Sequence, residues 1–212
     1  MYLTFLYDIL IIKLEKNMML PFFLLFMIAY LIGSIPSGWL LARLVGIADI
    51  TKHGSGNIGA TNVARVAGIR YFFIVFFLDC IKAYLLLFFL MLFKVSSFGL
   101  LIAASGLLIG NGFSLFLNGK GGKGVATTIG ILLALNSAVL YSMFMIWLCA
   151  LLITKNMGIT SVMTLLSLPV VTVIYSLSNP LMIILSLFIT GWGLWRHESN
   201  IRSFINAYKT VL

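Results

Sequence analysis

Two stretches of this 212-residue chain combine residue types that can hold an oxyanion. The first is Asn118-Gly119-Lys120-Gly121-Gly122-Lys123-Gly124, which runs straight into the apolar segment beginning Val125-Ala126-Thr127. Successive glycine N–H groups can point at one cluster of oxygens, and a helix start adds partial positive charge. Lys120 and Lys123 add two full charges. Gly124, rather than Ser or Thr, follows Lys123, so the stretch is not a nucleotide-binding P-loop. A flexible basic loop would account for the lysines but not for four glycines at a helix start. The expected phosphate contacts are Lys120, Gly121, Gly122, Lys123 and Gly124.

The second stretch is Gly54-Ser55-Gly56-Asn57-Ile58-Gly59-Ala60-Thr61-Asn62-Val63-Ala64-Arg65. Glycines permit positive φ and close backbone approach, and Ser55, Asn57 and Asn62 supply short donors and acceptors. Arg65 adds a planar fork matched to phosphate or carboxylate oxygens. A polar turn between two membrane spans is the simpler reading, but such turns are shorter.

Other features are weaker alone. Trp195-Arg196-His197-Glu198-Ser199-Asn200 carries a histidine suited to orienting a hydroxyl or moving a proton, although an isolated interfacial histidine is more often a solvated end-cap. Asp79 and Lys82 stand at i,i+3 inside an apolar run, where charges are costly and pair. A structural ion pair bracing the active-site loop is the leading expectation, with a direct role toward substrate second. Gly106 and Gly110 form a GxxxG pair, a packing motif. The acids Asp8, Glu15, Asp49, Asp79 and Glu198 are too scattered for a two-metal centre, and Cys80 and Cys149 lie in apolar runs without metal-ligand spacing.

The elements that must position these groups are membrane helices. Hydrophobic residues make up 62% of the chain and charged ones 9%, with a mean hydropathy of +1.15. Lipid is therefore the solvent. The net charge of +9 is scattered between apolar runs, which speaks against nucleic-acid binding and for the positive-inside bias. Candidate spans are 20–45, 71–93, 97–117, 159–177 and 180–195, with the stretch 125–154 between them. As one helix that stretch would be roughly 45 Å long, against a hydrocarbon core of about 30 Å. Asn136-Ser137 offers a turn, so two helices are expected, 125–135 and 137–154.

The expected fold is thus all-α, with seven transmembrane helices, the N-terminus outside on the periplasmic side and the C-terminus in the cytoplasm. This places ten of the 14 Lys/Arg on the cytoplasmic face, whereas a six-span count weakens the bias sharply. It also brings 49–65, 118–124, 155–161 and 196–200 to one face. Residues 1–17 read as a leader or interfacial extension, and 18–212 as a single membrane domain.

In order and spacing, the blocks GSGNIGATNVAR (54–65), LDCIK (78–82), NGKGGKGVAT (118–127) and RHESNI (196–201) resemble the bacterial acyl-phosphate:glycerol-3-phosphate acyltransferase family. The resemblance runs from about residue 20 to residue 201. It implies a seven-span enzyme of the bacterial inner membrane, embedded in lipid with its active site facing the cytoplasm. The implied reaction moves a fatty acyl group from acyl phosphate to the 1-hydroxyl of glycerol 3-phosphate, giving lysophosphatidic acid for phospholipid synthesis. Neither a cofactor nor a metal is implied, and the enzyme that makes acyl phosphate is an expected partner. By the same resemblance Ser55, Arg65 and Lys123 bind phosphate, Asn57 and Asn62 shape their loop, and Ser161, His197 and Asn200 hold the glycerol moiety.

The chain departs from the family pattern at Ala83, Asn111, Gly158, Ser203, Ala207 and Lys209, which bears on the C-terminal tail more than on the phosphate sites. An acyl phosphate is a mixed anhydride with a good leaving group, so catalysis needs mainly orientation and charge stabilisation. No side chain stands out as the base, and a substrate phosphate oxygen is the expected proton acceptor. Neither His53 nor His197 begins an H-x4-D pair, as another glycerolipid acyltransferase chemistry would require. The alternative is a small-anion or phosphate transporter using the same loops, for which an inverted repeat would be expected and none is seen.

Overall fold

The computed structural model describes residues 19–209, so the leader expected over 1–17 lies outside the described residues. Every regular element among the described residues is helical. In chain order they are α1 (19–34), α2 (Ser37–Leu44), α3 (Ala60–Ala67), α4 (Ile69–Leu92), α5 (Ser97–Gly112), α6 (Val125–Leu135), α7 (Ser137–Thr154), α8 (Met157–Ser176), α9 (Pro180–Arg196) and α10 (Glu198–Lys209). Short 3₁₀ turns form at Ile50–Lys52 and Leu115–Leu117.

Five segments are long and apolar enough to cross a bilayer: Met19–Leu44, Ile69–Leu92, Ser97–Leu117, Ser137–Thr154 and Met157–Ser176. α6 and α9 are apolar but shorter. The stretch 125–154 divides at Asn136, whose side chain accepts the Val139 N–H at 3.1 Å and caps α7. The eleven residues of α6 reach only about 16 Å, and they lie along α4.

Side-chain sizes are distributed as lipid requires. Large residues such as Phe73, Phe77 and Ile174 face outward, while Ala29, Ala83, Ala103 and Ala104 are fully buried. Lipid tails offer no hydrophobic drive between helices, so close contact through small residues holds the bundle. Gly106 and Gly110 bring α5 against α1 so tightly that a Cβ at Gly110 would lie 2.2 Å from the Tyr30 carbonyl oxygen. Gly130 does the same for α6 on α4, where a Cβ would lie 2.2 Å from the Cys80 carbonyl oxygen. The GxxxG pair is therefore a packing element.

The first span, expected as one helix over 20–45, is broken at 35–36. Pro36 has no N–H and its ring cannot follow a helical turn. In a membrane the carbonyls freed by such a break need other donors. Lys82 Nζ donates to the carbonyls of Gly33 at 3.1 Å and Ile35 at 2.9 Å, and Ser114 Oγ donates to that of Ser34 at 2.6 Å. Lys82 also lies 2.8 Å from Asp79 Oδ1. The expected ion pair thus forms and sits against the break in the first span, and Asp79 also lines the cavity described below. A second proline, Pro169, stands inside α8. It cannot donate to the Leu165 carbonyl, and Thr190 Oγ1 of α9 does so instead at 3.0 Å.

Candidate active site

Four segments close on one cavity of about 1070 Å³. Its polar end is made by Ser55, Asn57, Asn62 and Arg65 of the 54–65 loop, by Gly122, Lys123 and Gly124 at the head of α6, by Asn156, Gly158 and Ser161 at the head of α8, and by His197 and Asn200. Its apolar arm runs down between α4, α6, α7 and α8 over Phe72, Phe76, Leu132, Met143, Phe144 and Leu168. A single space therefore joins a cationic head to an oily groove.

Asn62 organises the 54–65 loop. Its Oδ1 accepts the Ser55 N–H at 2.8 Å, and its Nδ2 donates to the carbonyls of His53 at 3.0 Å and Asn57 at 2.8 Å. Asn57 Oδ1 accepts the Gly59 N–H at 2.7 Å just before α3 begins. Gly54 has a φ of +59° and Gly56 of +71°, and a Cβ on Gly54 would lie 2.3 Å from Asn62 Oδ1. Glycine is needed there both for the turn and for the approach of the asparagine. Arg65 projects from α3 beside this hub, its guanidinium 3.5 Å from Asn62 Oδ1.

The second glycine loop is built differently from the open nest its sequence suggests. The N–H groups of Gly119, Lys120 and Gly122 already donate to the carbonyls of Ser114, Leu117 and Asn111. Lys120 is exposed and, like Gly121, does not line the cavity, whereas Gly122, Lys123 and Gly124 do. The Gly121 and Gly122 carbonyls are held by Arg196, whose guanidinium donates to them at 3.1–3.2 Å and lies over the rings of Phe113 and Trp195. Sequence reasoning missed this clamp. Its signal was the Arg adjoining His197, two aromatics away from ordinary solvation.

Lys123 is the charged centre of the polar end. Its ammonium donates to Asn200 Oδ1, and its pKa is lowered by burial first and then by the nearby Arg196 and Arg65 charges. An anion entering here would relieve that repulsion. His197 is 3% exposed, with Nδ1 2.8 Å from the Gly193 carbonyl. Burial, reinforced by the Lys123 and Arg196 charges, lowers its pKa to about 4, against the raising effect of the Gly193 carbonyl. It is therefore neutral at neutral pH. The carbonyl can only accept, so Nδ1 carries the proton and Nε2 is left as an acceptor. Asn200 lies against Gly158, where a Cβ would come within 2.1 Å of its amide nitrogen. Ser161 lines the cavity and donates back to the Met157 carbonyl at 2.9 Å. Among the described residues no three His, Cys, Asp or Glu side chains are grouped to hold a metal ion.

Comparison with known proteins decides the family. The sequence model of the glycerol-3-phosphate acyltransferases matches residues 23–207. The chain belongs to that family. A glycerol-3-phosphate acyltransferase of Syntrophotalea carbinolica is 36% identical over 194 residues, covering 89% of this chain and 96% of the relative. One from Thermosipho melanesiensis is 38% identical, covering 85% and 87%. The fold matches the crystal structure of PlsY (YgiH), an integral membrane glycerol 3-phosphate acyltransferase, in its glycerol 3-phosphate form. The TM-score is 0.82 at 31% identity, over 88% of this chain and 93% of that one. The lysophosphatidic acid form of PlsY matches with a TM-score of 0.80. This acyltransferase is thus a multi-pass integral membrane protein, with five long and two short apolar helices among the described residues.

Proposed function

We propose that this acyltransferase moves an acyl group from acyl phosphate to the 1-hydroxyl of glycerol 3-phosphate and releases lysophosphatidic acid and phosphate. One observation carries the reading: the cavity joins two phosphate-suited cations, Lys123 and Arg65, to an apolar arm lined by Phe72, Phe76 and Phe144. An acyl phosphate has that polarity, and so does the product. In the proposed arrangement Arg65, Ser55 and Lys123 hold phosphate oxygens at the polar end, with the start of α6 adding its dipole. His197, Asn200 and Ser161 hold the glycerol moiety.

The hydroxyl oxygen attacks the acyl carbonyl carbon, and the bond from that carbon to the phosphate oxygen breaks. The electron pair leaves with phosphate, and Lys123 offsets the growing charge. With a pKa near 4, His197 is too weak a base to take the proton at neutral pH, and its Nε2 instead accepts the hydroxyl's hydrogen bond and aims it. As the new C–O bond forms, that hydrogen turns from Nε2 to a phosphate oxygen, which receives the proton. The enzyme lies in the bacterial inner membrane with seven spans, an outside N-terminus and a cytoplasmic polar end, where soluble glycerol 3-phosphate and the product of an acyl-phosphate-forming enzyme reach it.

Purified protein given radiolabelled glycerol 3-phosphate and palmitoyl phosphate should form lysophosphatidic acid without metal or CoA. Formation only with acyl-CoA would overturn the donor. Absence of product, together with phosphate uptake into sealed vesicles, would replace the enzyme by a transporter.

A further inference from the structure

α10 leaves the bundle with an apolar stripe that the other described residues leave about half exposed. Ile201, Phe204 and Ile205 stand at i, i+3 and i+4, one face of a helix, while Arg202, Ser203 and Asn206 stand on the other. Phe204 is 51% and Ile205 46% exposed although α10 touches α8 and α9. The helix is only twelve residues long and carries Glu198, Arg202 and Lys209, so it cannot cross a bilayer. On the two helices that α10 touches, Trp195 in the last turn of α9 and Met157 at the head of α8 are also exposed apolar groups. A tryptophan at the end of a span marks the headgroup level.

We infer that α10 lies in the interface of the bilayer, with Phe204 and Ile205 at the boundary between headgroups and acyl chains and the exposed Arg202, whose Nε donates to Glu198 Oε1 at 2.9 Å, at the headgroup level. An amphipathic helix seats itself there by apolar burial plus attraction to anionic headgroups. The seat also has a place in the site. Asn200 in the first turn of α10 is held between the Lys123 ammonium and Gly158, so lipid contact at Phe204 fixes the platform from which Asn200 reaches the cavity. Phe204 and Ile205 are positioning residues in this sense. That consequence rests on the acyltransferase reading, whereas the seat on lipid does not.

The test uses the full chain with Cys80→Ala and Cys149→Ala, reconstituted in phosphatidylglycerol–phosphatidylethanolamine vesicles and labelled with bimane at Phe204→Cys or Ser203→Cys. Lipid brominated in the upper acyl chain should quench the label at 204 strongly and that at 203 weakly. Quenching of 204 by aqueous iodide instead would put the helix in water. Protection of 204 from both quenchers would mean that protein, such as a second copy, covers it. Either result overturns the inference. For the coupling, Phe204→Gln with Ile205→Gln should raise the KM for glycerol 3-phosphate about tenfold, the lower end of what losing a supporting contact costs, with kcat changed less. Phe204→Leu with Ile205→Leu should restore it. An unchanged KM in the Gln variant, with lipid quenching intact, would overturn the coupling.

Discussion

Lys123 and His197 show what burial does to two ordinary side chains. Lys123 shares its corner with Arg65 and Arg196, whose charges add to burial in lowering its pKa, so an anion bound there would relieve their repulsion. Removing a charged donor to phosphate loses about 1.5–3 kcal/mol. Lys123→Ala and Arg65→Ala should therefore each lower kcat/KM about 10–100-fold, with circular dichroism unchanged; unaltered kinetics in both would remove phosphate from this end of the cavity. His197 titrates far below the usual histidine value because its charged form is buried. Between pH 6.5 and about 4 the unfolded chain binds the proton more readily than the folded one, so stability present above that window is lost as pH falls through it. The melting temperature of the wild type should fall more steeply over this range than that of His197→Gln. Parallel curves would mean that the imidazole is solvated. The sequence marked both residues because their types are chemical; residue type alone did not distinguish Lys123 from Lys120, although the family resemblance named Lys123. The turn at Leu115–Leu117, which spends the N–H groups of Gly119 and Lys120 and leaves Lys120 exposed, separates them in the structure.

At the level of elements, one proline stands at a helix break and another inside a helix, and side chains donate to the carbonyls of Gly33, Ser34, Ile35 and Leu165 beside them. Lys82 serves Gly33 and Ile35 while facing Asp79, so it is both a cap and half of a buried pair. Truncating one partner leaves an uncompensated buried charge, a loss of about 3–5 kcal/mol. Lys82→Met should lower the melting temperature strongly, and adding Asp79→Asn should recover part of it. Equal melting of the single and double variants would show that the pair carries no such coupling. Helix boundaries were legible because Asn136, Asn156 and Asn179 cap α7, α8 and α9 at the points where apolar runs pause. The break in the first span was less so. Pro36 was visible, but its tolerance depends on Lys82 and Ser114, which are 46 and 78 residues away in the sequence. Long-range partners of this kind leave no local pattern. Arg196 went unnoticed for the same reason, since its role is set by the carbonyls of Gly121 and Gly122 on another segment.

For the whole molecule, the placement of short α6 decides how the chain is threaded. If the eleven residues of α6 take the chain across by tilting and local thinning of the bilayer, Asn136 and Lys155 lie on opposite faces. If α6 instead dips in and returns, the two positions keep their separation along α7, but every cationic loop after residue 124 changes sides relative to those before it. The cavity argues for crossing. It gathers Arg65, Lys123, Asn156 and Asn200 at one end, so segments before and after α6 must meet at one face. α7 then returns the chain from Asn136 to that face over eighteen residues, about 27 Å. Single cysteines placed at Asn136→Cys and at Lys155→Cys, in a chain with Cys80→Ala and Cys149→Ala, should react from opposite sides of intact cells with an impermeant maleimide. Position 136 should be blocked from outside and position 155 only after permeabilisation. Labelling of both from the same side would invalidate the seven-span threading, while leaving the cavity and its residues where they are.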